Sequence, residues 1–284
     1  MVKSKKHLSF LLGYPYARLL AICSEINDYY YEKIEIKRDK QGIIKVDKNG
    51  IPLTRVLLPS KGILKTLQSK IKNRILSEIL FPFHIQGGVK KRDNITNARL
   101  HIGKNYHFCT DIKDFFPTIS SNIVYKMFLE NQFSSDIARI LTKLTTFRFQ
   151  VPQGAPTSTH LANLVFMMVD KKIIEYCSGK SITYTRFVDD LTFSSEKDFK
   201  KYTYRILKII EDHGYKISNK KTFYKIGPTE ITGVITKNNV LDLSDSFVQK
   251  VKSAKKDSDG KKYNSLINYY VRVNNKGRLI DFDN

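Results

Sequence analysis

Ile182-Thr-Tyr-Thr-Arg-Phe-Val-Asp-Asp-Leu-Thr-Phe-Ser-Ser195 sets two runs rich in β-branched and aromatic residues on either side of Asp189-Asp190. The pattern is that of a hairpin with both carboxylates at its turn. Adjacent like charges held between half-buried strands are costly unless a cation neutralises them, and a divalent metal is the natural candidate. Taken alone, the pair fits a solvated turn tip equally well, because Asp is a favoured turn residue. A second carboxylate favours the metal. Tyr106-His-Phe-Cys-Thr-Asp-Ile-Lys-Asp-Phe-Phe-Pro-Thr-Ile119 alternates as a strand up to Asp111, turns at Pro117 and enters a helix capped by Ser120 or Ser121. Asp111 therefore belongs at a strand end. Oxygen-only ligands from Asp111 and Asp189 suit Mg²⁺, and two ions about 3.5–4 Å apart would activate a 3′-hydroxyl and stabilise a leaving pyrophosphate. The chemistry implied is nucleotidyl transfer.

The composition agrees with a polyanionic partner. The 284 residues carry a formal charge of +22, far more than solubility requires, and 16 Tyr and 17 Phe are interleaved with 49 Lys and Arg. Such a mixture suits stacking on bases combined with neutralisation of phosphates. Cys23, Cys109 and Cys177 are odd in number, widely spaced and without zinc-type partners, which points to core thiols in a reducing compartment. Pro15 and Arg18 interrupt the apolar start of the chain, and Ile22 stands before Cys23 where a lipoprotein site needs a small residue. The expectation is a cytoplasmic protein without a membrane span.

In chain order, Tyr16 to Tyr31 reads as a helix burying Leu19, Leu20, Ile22, Cys23 and Ile26. Ile34 to Leu58 alternates and is punctuated by two hairpin-type turns, Gln41-Gly42 and Asn49-Gly50. Ile63 to Leu80 carries a helical apolar stripe, broken by Phe81-Pro-Phe-His-Ile-Gln-Gly-Gly88. Helices are expected around Ile123 to Phe128 and Ile137 to Leu144, then from Leu161 through Met168, and again over Glu196 to Asp212 up to His213-Gly214. Two further helices follow Asn239, around Val248 to Lys252 and Tyr263 to Val271, separated by Lys255-Lys-Asp-Ser-Asp-Gly260.

Three stretches together resemble a known family. Asp111 to Ile119, then Val151-Pro-Gln-Gly-Ala-Pro-Thr-Ser-Thr-His-Leu-Ala-Asn-Leu164, then Phe187-Val-Asp-Asp190, look like the successive palm motifs of reverse transcriptases, in that family's order. Asn97-Ala-Arg-Leu-His101 is similar to the Asn-Ala-x-x-His signature of bacterial retron reverse transcriptases, and Ile231-Thr-Gly233 resembles their Val-Thr-Gly element. The resemblance implies an α+β, right-hand polymerase fold with fingers, a ferredoxin-like palm and a short helical thumb. The segments implied are 1–105 for N-terminal helices and fingers, 106–235 for the palm and 236–284 for the thumb.

It also implies roles for single residues. Asp111, Asp189 and Asp190 would hold two Mg²⁺ ions, with Asp190 acting more electrostatically than by direct coordination. Lys221, in Asn219-Lys-Lys-Thr222, would protonate or neutralise the pyrophosphate, with its neighbour Lys220 the alternative. Arg55 would grip the triphosphate of a deoxynucleotide, as would Lys37; Gln153 and Gly154 would meet the incoming nucleotide, and Ile112 and Val188 would lie beside it. Phe116, five residues beyond Asp111, would exclude a 2′-hydroxyl, leaving Phe115 to the core. Asn97, His101, Thr232 and Gly233 are expected to contact RNA, His101 with no catalytic role. Relatives of this type commonly carry Tyr-Ala-Asp-Asp where this chain has Phe187-Val188-Asp189-Asp190, so a hydroxyl is lost and bulk is gained beside the sugar. The partners implied are a structured noncoding RNA that serves as template and 2′-hydroxyl primer, its linked DNA product, deoxynucleotides, and a separate effector protein in anti-phage defence. Two alternatives stay open: another bacterial reverse transcriptase, group II intron-like or defence-associated, and a noncatalytic RNA-binding scaffold.

Overall fold

Helix signals in the first part of the chain convert directly into structure. Ser4 accepts from the His7 amide at 3.2 Å and starts α1 (Lys5–Leu12), which Gly13 ends in the left-handed conformation at φ 70°. Pro15 opens α2 (Tyr16–Ser24). The computed structural model describes residues 2–39, 42–256 and 260–274. Gln41 of the first expected turn, Asp257 to Asp259 of the expected interhelical linker, and 275–284 of the expected thumb lie outside the described residues.

The chain divides into two compact units, each assembled from two segments: Met1–Pro82 with Asp114–Asp170, and Phe83–Lys113 with Lys171–Asn284. In the first unit, β1 (Lys33–Ile36) and β2 (Thr54–Leu57) form an antiparallel ribbon, and α3 (Gly62–Arg74) packs on α1. The short α5 (Phe115–Thr118), then α6 (Ser121–Glu130) and α7 (Ser135–Thr145), complete its described helices apart from α8. Leu8, Leu12, Leu19, Ile22, Leu64 and Leu141 are fully buried at their centre. One polar node is enclosed there without loss of hydrogen bonds. Gln68 donates to the Tyr30 hydroxyl and the Leu144 carbonyl and accepts from Ser60, at 2.6 to 2.8 Å.

The second unit holds α4 (Asn94–Arg99), β3 (Tyr106–Lys113), β4 (Thr183–Phe187) and β5 (Asp190–Ser195). After α9 (Lys200–Asp212) come β6 (Lys216–Ile217) and β7 (Phe223–Ile226). The helix α8 (Ser158–Cys177) runs from the first unit into the second. These strands form one antiparallel sheet in the order β4-β5-β3-β6, with β7 also paired to β3. Cross-strand partners share a face. Phe108 and Phe193 pair on one side and touch at 5.8 Å, with Tyr184 stacked on Phe193 at 4.8 Å. The register puts Asp111 with Asp190, Cys109 with Thr192 and His107 with Ser194 on the other side. The apolar side builds the core, and the opposite side bears chemistry.

A meander absent from the sequence reading follows: β8 (Thr229–Ile231), β9 (Val234–Thr236) and β10 (Leu241–Leu243). With α4 and α11 (Gly260–Asn274) it encloses Ile95, Ala98, Ile231, Val234, Tyr270 and Val273; α10 (Asp245–Lys256) packs on α11. Both boundaries expected at 105/106 and 235/236 fall inside this unit, the second within β9.

Candidate active site

The hairpin expected at Asp189-Asp190 has a two-residue loop. Phe187 pairs with Asp190, so Val188 and Asp189 form the turn and Asp190 is the first residue of β5 rather than a turn residue. Val188 stands at φ 63° while Asp189 is not among the residues of positive φ, the pattern of a type II′ turn whose first central residue is ordinarily Gly. A β-branched residue there stores strain on the order of 1–3 kcal/mol and persists only where the surroundings over-determine it. Three contacts do so. The Ile112 amide donates to the Asp189 carbonyl at 3.0 Å, and the fully buried Arg186 donates to the Val188 carbonyl at 3.0 Å. Third, Gly87 lies flat against the turn: a Cβ added to it would stand 2.6 Å from the Val188 nitrogen and 2.8 Å from the Phe187 carbonyl carbon.

Asp111 and Asp190 are directly opposed across β3 and β5, so the distant carboxylates do meet. Burial first, then the charge of Asp189, pushes the Asp190 carboxyl up to about 7; Lys221 pulls it down, and Asp111 raises it again by its charge and a shared hydrogen bond. Such mutual repulsion is the mark of a site arranged for cations. Lys221 supplies one. The Ser218 amide donates to the Asp111 carbonyl at 2.8 Å, a short 3₁₀ turn over Asn219–Lys221 follows, and the Lys221 ammonium reaches Asp111 Oδ2 at 2.5 Å. Burial disfavours that ammonium, but the hydrogen bond and charge of Asp111 outweigh it and raise its pKa overall. Among the described residues no three carboxylate, imidazole or thiol side chains already form a closed metal cage. The acidic donor set, all oxygen and only partly neutralised by one lysine, nevertheless fits a hard divalent ion.

Several expected substrate residues are elsewhere or differently used. Ile112 is 1% exposed, so its side chain offers no surface to a nucleotide; its amide instead ties β3 to the turn. In the first unit, Arg55 is exposed on β2 opposite Glu35, and the Leu58 amide just beyond donates to the Gln153 carbonyl at 2.7 Å. Gly154, at φ 108°, lies beside Leu57 and Pro59, so the Val151-to-Ser158 loop abuts the end of β2. Lys37 is exposed. Phe115 is buried against Phe166 and Phe116 half-buried, an alternation produced by the turn of α5 and not by a strand.

The residues assigned to RNA contact divide. Asn97 and His101 are at most 1% exposed, which leaves no side-chain atoms for an RNA to touch. His101 bridges two strands of the sheet, Nδ1 to Ser194 at 2.6 Å and Nε2 to Thr185 at 2.8 Å; burial holds it neutral, with a pKa lowered to about 3. Asn97 donates to the Thr232 hydroxyl at 3.2 Å, and Asn94 donates to the Thr232 carbonyl. Thr232 and Gly233, at φ 47° and 88°, form a type I′ turn with Gly233 exposed. The two signatures thus touch each other. Sequence reading missed the brace that joins them to the Val188-Asp189 turn. Thr96, locked in a capping box with Asp93, donates to buried Gln86 at 2.9 Å, and the Gln86 amide donates to the Arg186 carbonyl at 2.7 Å.

A family model described as reverse transcriptase (RNA-dependent DNA polymerase) matches residues 46–238, well over half of the chain. The chain belongs to the reverse transcriptase family. Curated relatives of this reverse transcriptase include the retron Se72 enzyme of Salmonella heidelberg, 33% identical over 69% of this chain and 49% of the relative. The retron Ec86 enzyme of Escherichia coli is 34% identical over 68% of this chain and 62% of the relative. The chain thus spans about half to three fifths of the length of these proteins. A solved structure of telomerase from Candida albicans, in complex with a fragment of telomeric RNA, shares the fold at TM-score 0.51 and 12% identity, over 90% of this chain and 59% of that one. No helix among the described residues is long and apolar enough to cross a membrane.

Proposed function

We propose that the protein is an RNA-directed DNA polymerase of the retron kind. The observation that carries this reading is the register that opposes Asp111 to Asp190, one residue from Asp189, with Lys221 on the same carboxylates. Mg²⁺, bound as two ions by Asp111, Asp189 and Asp190, would activate the attacking hydroxyl and neutralise the pyrophosphate. Lys221 gives up its pairing with Asp111 and turns to the leaving phosphate as donor. Arg55, Gln153 and Gly154, clustered around the end of β2, take the triphosphate and base of the deoxynucleotide, and Phe116 screens its 2′ position. Val188 fixes the turn beneath the sugar.

By likeness to the retron relatives, the template and primer are one structured noncoding RNA, extended from a 2′-hydroxyl to give RNA-linked DNA, with a separate effector protein in anti-phage defence. The free thiols Cys23, Cys109 and Cys177 suit a reducing cytoplasm. Purifying the protein from its host and extracting the bound nucleic acid tests the reading. RNase-resistant DNA joined to RNA is expected from the native protein and not from Asp189→Asn; RNA without DNA in both would leave a binding scaffold.

A further inference from the structure

The ribbon of β1 and β2 continues outward through two further turns. Beyond Lys33 to Ile36, a bridge pairs Arg38 with Ile44 and another pairs Val46 with Pro52 before the chain returns along β2. Asp39 and Asp47 close the two turns by accepting from the amides of Ile43 and Ile51, both at 2.9 Å. The register sorts the side chains. Ile34 pairs with Val56, and Ile36, Ile44 and Val46 follow on the same side at the spacing of two that a strand imposes. Arg38, the bridge partner of Ile44, shares this side, and Lys33, Glu35, Lys37, Lys45 and Arg55 fall on the other.

The apolar face is uncovered. Ile34, Ile36, Ile44, Val46 and Val56 are 38% to 66% exposed, whereas aliphatic residues of the helical core are buried. Isolated exposed aliphatics are ordinary, but a contiguous sheet face of them marks a binding surface. A two-stranded ribbon exposed on both sides is also of marginal stability until something covers it. From Glu32 to Leu57 there is not one Tyr, Phe or Trp, in a chain with 16 Tyr and 17 Phe. Nucleobases are held by aromatic stacking, so a face of this kind is made for aliphatic side chains. A second copy would bring the same formal charge of +22 against itself.

We propose that the outer face of this ribbon docks a different protein, one that presents an aliphatic patch set among carboxylates. The aliphatic patch covers Ile36 and Ile44, and the surrounding carboxylates answer Arg38, which pairs with Ile44 on this face, and the net positive charge of the chain. Docking here does not depend on the polymerase reading.

The test places a photoreactive benzoylphenylalanine at Val46 of the full chain, expressed in its own host. The expected adduct is a single acidic protein. That protein is then purified and titrated against the native chain and against the pair Ile36→Glu and Ile44→Glu, which buries unpaired charge and should weaken binding roughly tenfold to hundredfold. A second pair, Ile36→Thr and Ile44→Thr, keeps strand propensity and should weaken it in the same direction. Both pairs should extend oligo(dT) on poly(rA) as the native chain does. An adduct with RNA, with a second copy or with nothing would overturn the proposal, as would equal binding by all forms. Failure of the native chain to extend the primer would instead sink the polymerase reading and leave the adduct result standing.

Discussion

Two tight turns in the second unit share one peculiarity and differ in everything else. Phe187 to Asp190 and Ile231 to Val234 each place a β-branched residue at positive φ, Val188 at 63° and Thr232 at 47°. At the first, the neighbouring backbone presses in: a Cβ on Gly87 would stand 2.6 Å from Val188. At the second, Gly233 has no atom nearer than 3.9 Å to where its Cβ would be, and side-chain amides of Asn94 and Asn97 do the holding. Strain clamped by backbone fixes atoms to fractions of an ångström; strain held by side chains is a matter of stability. The carboxylates proposed for catalysis belong to the first kind.

The sharpest way to break that contrast is at the carboxylates. Asp111→Asn should lower primer extension on the order of 10²–10³-fold or more while leaving the melting temperature within a few degrees, as single-turnover assays and calorimetry would show. Gly87→Ala comes next, with an expected loss in kcat of about 10²-fold and a much smaller change in KM, because the turn is pushed out of place while the nucleotide contacts proposed for Arg55 and Gln153 are untouched. Adding Val188→Gly should recover part of it by freeing the turn. Gly233→Ala should cost about 1–2 kcal/mol of stability from its left-handed backbone and leave kcat unchanged. If both glycine variants reduce kcat alike, the distinction between the turns is lost.

His101 sharpens the comparison through pH. Its folded pKa of about 3 lies below the ordinary value of 6.5, so above pH 6.5 it has no effect. As pH falls from 6.5 toward 3 the unfolded chain takes up a proton that the folded chain refuses, and stability declines. His101→Gln should flatten that slope in denaturant titrations at constant kcat, at a cost of about 1–3 kcal/mol near neutrality. The smallest effect is expected at exposed Lys220: Lys220→Ala should fall within twofold of the native rate, whereas Lys221→Ala should lose about tenfold or more.

Much of this was legible in advance, and the physics of each success is specific. Asp111 and the Asp189-Asp190 hairpin stand in strands of five to eight residues, long enough for alternation and turn chemistry to show. Strands β8, β9 and β10 have three residues each, too few for a period of two to declare itself, so their sheet was not foreseen. The two helices expected to run on to Tyr31 and Leu80 stop at Ser24 and Arg74 and continue as 3₁₀ turns, because stripe periodicity cannot tell a last α turn from a 3₁₀ one. The burial of Asn97 and His101 was illegible for a different reason. The resemblance implied contact with RNA, and only the fold reveals that both polar groups face inward to the sheet and to Thr232. Nothing local announced Gly87 as the wedge under Val188, since its neighbour lies about a hundred positions away.

The ammonium of Lys221 against Asp111 has one more consequence. Three acids crowded at the paired ends of two interior strands would ordinarily resist closing until a divalent ion arrived, making assembly of the strands hostage to the ionic medium. With a tethered cation already among them, the strands can zip together in the presence of chelator, and the polypeptide stands fully formed before any metal binds.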